Sequence, residues 1–121
     1  MKHIKTLAIA IATLAIIVGC SNKEAKAQAL LLEAVTYSTG TTDSKATSAA
    51  LELANAKGFK QGTSLSQREI VMIAGRIRCK EIMENYPNTQ AALKAAEVRN
   101  EINGRLDRIA QERIRALYRS E

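Results

Sequence analysis

The chain has 121 residues, with 18 basic and 12 acidic side chains and a formal charge of +6 at neutral pH. That length supports one small domain with a single modest core, and the mild basic excess suits anionic headgroups or an acidic partner as well as plain solubility. One histidine, no tryptophan, one phenylalanine and three tyrosines leave too few rings for a sugar- or base-stacking platform.

In chain order the first feature is Met1 to Cys20. Lys2 and Lys5 give a positive start, Thr6 to Val18 carries no charge, and the stretch closes on Ile17-Val18-Gly19-Cys20. A basic start, an apolar core below the ~18 to 20 residues of a spanning helix and a small residue at the end read as a secretory signal. An uncleaved anchor is the alternative, and it too leaves the body outside the cytoplasm. The last four residues resemble the lipobox of bacterial lipoproteins. The resemblance implies that residues 1–19 are removed and that Cys20 becomes a lipidated N-terminus, carrying a diacylglyceryl thioether and an amide-linked acyl chain such as palmitate. Residues 20–121 then form one tethered domain. Each buried methylene contributes ~0.8 kcal/mol, so three chains anchor it stably. Ser21 and Asn22 resemble the outer-membrane class of these lipoproteins, so the expected address is the periplasmic face of the outer membrane.

Losing Lys2 and Lys5 leaves 16 basic residues against 12 acidic, about +4. Nucleic acid is not an expected partner in that compartment. His3 is lost as well, which removes the imidazole needed for a zinc site, a Ser/His/Asp triad or general-base work. No metal or cofactor is expected. With Cys20 acylated, Cys79 is the odd thiol; it is expected buried on a helix, with an intermolecular disulfide or a reactive thiol as alternatives.

Ala27, Leu30, Leu31, Ala34 and Val35 recur at three and four residues and predict a first helix from Ser21 to Tyr37, capped by Ser21 or Asn22 and lying close to the anchor. Ser38 to Thr42 is a turn cluster. A second helix, capped by Thr42, Asp43 or Ser44, runs to about Lys57 with Ala46, Ala49, Ala50 and Leu53 inward, and Gly58 ends it. Phe59 is expected to fold back on the core, before a polar, flexible loop from Lys60 to Thr63. Ser66-x-x-Glu69 is a capping box for a third helix, starting at Ser64 or Ser66 and running to about Asn85. Its apolar arc, from Ile70 and Val71 to Ile82 and Met83, is wide enough for the central helix of a bundle. Gly75 costs about 1 kcal/mol there relative to alanine, and close approach of a neighbouring helix is the expected compensation.

Pro87 stops the third helix, and Asn88 or Thr89 caps a fourth that runs to about Tyr118, roughly 45 Å long, with a C-terminal half expected to project. The fold class is all-α: a small antiparallel bundle of about four helices. Tyr86, Pro87, Thr89, Ala91, Ala92, Ala95 and Ala96, within Ala74 to Val98, resemble the joint between tetratricopeptide-like repeats of envelope lipoproteins, without the markers of a full repeat array. That resemblance implies hairpin packing of the same kind.

Glu97, Glu101, Arg105, Arg108, Glu112, Arg115 and Arg119 share the polar side of the fourth helix and read as a solvated charge ladder, with a catalytic pair at Glu97 and Glu101 as the alternative. Arg99 and Arg113 project from the apolar face that carries Ile102, Leu106 and Ile109. Either their stems snorkel past the core, or the stripe docks a partner helix with the arginines fixing register. The sixteen alanines from Cys20 onward bury little area each, which favours a domain that binds something. The expected function is a non-catalytic accessory or scaffold subunit of a larger envelope assembly, an outer-membrane complex or secretion apparatus, bound through Arg99, Ile102, Leu106, Ile109 and Arg113. The alternative is an inhibitor or immunity-type lipoprotein that captures another periplasmic protein, and a homo-oligomer is also open. An enzyme is not expected: Cys79 has no histidine to activate it.

Overall fold

The computed structural model describes residues 18–60 and 65–119, with side chains from Asn22 onward. Residues 1–17 of the expected signal at 1–19, the side chain of Cys20 and the loop at 61–64 lie outside the described residues. The described chain is all-α: α1 is Val18–Tyr37, α2 Ser44–Ala56, α3 Gln67–Asn85 and α4 Gln90–Arg119.

Local chemistry sets most of the ends. α1 is already helical at Val18, so Ser21 and Asn22 lie inside it and neither caps it, contrary to expectation. Of the three candidate caps for α2, Asp43 is used: its carboxylate accepts from the Ala46 amide at 2.9 Å. Lys57 closes that helix, and Gly58 follows at φ +93°, a conformation that side-chain-bearing residues rarely adopt. The Phe59 amide donates to the Ala54 carbonyl at 3.0 Å, and its ring packs on the core as expected. At α3 the capping box is complete, Ser66 accepting from the Glu69 amide while Glu69 accepts from the Ser66 amide. Thr89 caps α4 by accepting from the Ala92 amide at 3.1 Å.

α1 and α3 form the central pair. α2 and α4 flank α3 on opposite sides and, among the described residues, do not touch each other. The wide apolar arc of α3 is divided between them. Met72, Cys79 and Ile82 join Ala27, Leu31 and Ala34 of α1 and Val98 and Ile102 of α4 in one cluster. Ile70, Val71 and Ala74 join Tyr37, Ala50 and Ala54 in the other. Alanine supplies much of both, and Ile70, Met72, Ile82 and Ile102 are the largest of the fully enclosed side chains, contributing roughly 1.5–3 kcal/mol each.

Gly75 lies where three helices converge. A Cβ built on it would stand 3.1 Å from the Ala34 carbonyl oxygen, 3.1 Å from Cδ1 of Ile102 and 3.2 Å from Cβ of Tyr37. The close approach of α1 and α4 compensates for the helix propensity that glycine forfeits.

Candidate functional site: the long fourth helix

At 30 residues, α4 exceeds α3 by eleven, so roughly 16 Å of it has no neighbour of equal length. Burial falls off steadily along its apolar stripe. Ala91, Ala95, Val98 and Ile102 are buried, and Leu106 and Ile109 are half-buried against the core. From Ala110 to Arg119 every residue is exposed. The apolar side chains do not stop where the bundle does: Ile114 is 53% exposed, Leu117 65% and Tyr118 74%. Spaced at i, i+3 and i+4, these three share one face.

An ion pair anchors this end of α4 to the bundle. Arg113 of α4 donates to Oε1 of Glu69, the capping-box carboxylate of α3. Glu69 is almost fully enclosed while Arg113 is about half exposed. Burial alone would raise the Glu69 carboxyl, but Arg113 and the Ser66 amide and hydroxyl outweigh it and hold it below the usual carboxylate value. One carboxylate thus caps α3 and fixes the point where α4 leaves the fold.

A second long-range cap ties the start of α4 to α1. Glu24 accepts from the Gln90 amide at 2.8 Å and the Ala91 amide at 3.2 Å, placing a negative charge at the positive end of the α4 dipole. Partial burial works to raise this carboxyl, yet the two amides and Gln28 leave it lowered. The C-terminal end of α1 is treated in the opposite sense: Arg105 donates to the Ser38 carbonyl at 3.0 Å. Arg78 of α3 reaches Glu33 of α1 at 2.6 Å and Glu81 at 3.1 Å.

The five residues expected to bind a partner are therefore not one exposed surface. Ile102 is enclosed by its own domain, because Gly75 lets α3 close over it. Leu106 and Ile109 pack on the core, Arg113 serves Glu69, and Arg99 is half-buried beside a groove between α2 and α4. Glu97 and Glu101 are exposed, the first within 3.1 Å of Lys94 and the second within 3.9 Å of Arg105, as a charge ladder requires. Cys79 is fully enclosed, and burial pushes its thiol up to about 11, with the charge of Arg99 pulling weakly the other way.

Among the described residues no cluster of three His, Cys, Asp or Glu side chains is placed to hold a metal ion, and no helix is long and apolar enough to cross a membrane. The chain matches no protein-family model, no curated protein and no solved structure. Its geometry stands by itself. The two long-range carboxylate caps were not foreseen from sequence; Glu24 and Glu69 look like any surface glutamates in a string of residues, although the capping-box position of Glu69 did mark it as structured.

Proposed function

We propose that this chain is a non-catalytic, lipid-anchored accessory subunit of a larger cell-envelope assembly, tethered through Cys20 to the periplasmic face of the outer membrane. It docks its partner through the C-terminal end of α4. The observation that carries this reading is the exposed apolar face of Ile114, Leu117 and Tyr118 beyond the bundle, turned roughly 100° around α4 from the core stripe of Ile102, Leu106 and Ile109 and so not an extension of the core. A helix end selected only for solubility has no use for three large apolar residues on one face, whereas a helix laid into a partner groove anchors through i, i+3, i+4 positions of this kind. The binding region moves accordingly from the Arg99 to Arg113 segment to its C-terminal continuation. The lipobox at Ile17 to Cys20 supports the tether, and the tetratricopeptide-like joint at Tyr86 to Ala96 supports a protein-binding role. An enclosed Cys79 with a raised pKa is a poor nucleophile, in keeping with a non-catalytic role.

In-cell photocrosslinking from Ile114, Tyr118 and, as an internal control, Ile102 tests the docking. One envelope protein captured from 114 and 118 and none from 102 is the expected result. Capture of the same protein from all three positions, or of nothing but this chain, overturns it. Metabolic labelling with a clickable palmitate, lost in Cys20→Ser, tests the tether separately.

A further inference from the structure

A second, separate site lies on the opposite side of α3 from α1. Because α2 and α4 flank α3 without meeting, they leave a groove of about 790 Å³ along its outer face. That volume falls in the ~300–1,000 Å³ range of sites for a single small ligand. The apolar part is built by Leu53 and Phe59 from the α2 end, Ile73 and Ile77 from α3, and Met83 further along α3. Ile73 is buried and the other four are half-buried, so the surface is continuous with the core and still open to a ligand.

The charged lining is unbalanced in a specific way. Elsewhere in the bundle Arg78 meets Glu33 and Glu81, Arg105 meets Glu101 and Arg113 meets Glu69, while Arg68 donates to the Thr39 carbonyl. In the groove, Lys57, Arg76 and Arg99 come from three different elements, and among the described residues none of them meets a carboxylate. Arg76 donates to the side-chain oxygen of Asn103 at 3.3 Å. The two carboxylates of the lining are already engaged, Glu81 by Arg78 and Glu84 by Lys80 at 3.8 Å. A half-buried guanidinium that shares a partly apolar lining with Lys57 and Arg76, and that meets no carboxylate among the described residues, is complementary to a ligand that brings an anion and an apolar chain together.

We propose that this groove binds a single-chain carboxylate amphiphile, a long-chain fatty acid, with its alkyl chain on Leu53, Phe59, Ile73 and Ile77 and its carboxylate held by Arg99, with Lys57 and Arg76 beside it. The site does not depend on the α4 docking surface, and it stands whether or not that docking is correct.

The test is photolabelling of the full chain in lipid nanodiscs with a palmitate bearing a mid-chain diazirine, followed by peptide mass spectrometry. Label is expected on the segments holding Phe59, Ile77 and Met83, displaced by excess palmitate and not by hexadecanol. The double variant Arg99→Gln/Lys57→Gln is expected to lose labelling by about tenfold or more, the scale of one charge-assisted contact, and Arg99→Lys alone to retain most of it. Unchanged far-UV circular dichroism identifies a loss of binding as distinct from a loss of fold, and Ile77→Glu, which sets an anion on the floor, supplies a second loss of label. Label spread over outward residues such as Leu32 and Ile114, displacement by hexadecanol as effective as by palmitate, or no change in the double variant overturns the proposal.

Discussion

Ile102→Ala separates core from docking surface more sharply than any other substitution. Ile102 is fully enclosed and its Cδ1 fills the space directly opposite the missing side chain of Gly75. Truncation removes three carbons at a point where α3 has no Cβ to move into the hole, so little relaxation is available. Isoleucine-to-alanine changes in cores cost about 2–5 kcal/mol, more where the cavity cannot collapse, and ~3–4 kcal/mol is the expectation here. With a urea slope of ~1.5 kcal/mol/M for a domain of this size, the unfolding midpoint falls by about 2 M. Ile114→Ala, at a residue 53% exposed, is expected to stay within about 0.5 kcal/mol of the parent. Urea titration followed by far-UV circular dichroism, run on both variants with Ile102→Val as a milder step of about 0.5–1.5 kcal/mol, reads these out. Equal midpoints for Ile102→Ala and the parent would refute the placement of Ile102 in the core, and with it the assignment of docking to the segment beyond it.

The glycines of α3 and α4 give opposite signs. Gly75→Ala gains about 1 kcal/mol of helix propensity but drives a methyl toward the Ala34 carbonyl, Ile102 and Tyr37 at an overpacking cost of about 1–3 kcal/mol, so thermal unfolding should shift down; Gly104→Ala, with nothing within 4 Å, should shift it up. Arg113→Glu sets a second carboxylate against the enclosed Glu69; breaking a buried pair costs about 3–5 kcal/mol, and the half-exposed arginine reduces that to roughly 1–3 kcal/mol, so an Arg113 variant that loses a partner must be checked for lost stability by urea titration before the loss is assigned to binding. Stability should also fall in acid through Glu24 and Glu69. Both carboxyls are lowered by folding, so their contribution is complete above the ordinary carboxylate value of 4.5 and is lost as pH drops below it through the folded values. Urea midpoints between pH 7 and pH 3 should decline less steeply in Glu24→Gln/Glu69→Gln than in the parent, and identical slopes would show that neither cap contributes.

What the sequence determined by itself is whatever depends on a few adjacent residues. The turn at Tyr86-Pro87, the capping box of Ser66 and Glu69, and Gly58 after Lys57 are short-range devices, and α2, α3 and α4 begin and end close to where those residues place them. The breadth of the α3 apolar arc also announced a central helix, because a side chain's direction from a helix axis follows from residue number alone. Periodicity could say that Arg99, Ile102, Leu106, Ile109 and Arg113 share a face; it could not say how far along α4 the bundle reaches. That depended on the lengths of α1 and α3 and on Gly75 admitting their close packing, which together enclose Ile102 and leave Ile114 and Tyr118 outside. The cap of Glu24 on α4 and the ion pair of Glu69 with Arg113 join residues 66 and 44 positions apart in the chain, and the groove exists only because α2 and α4 fail to meet. Such features belong to distances between elements, which local propensity does not encode, and only the tertiary structure decided them.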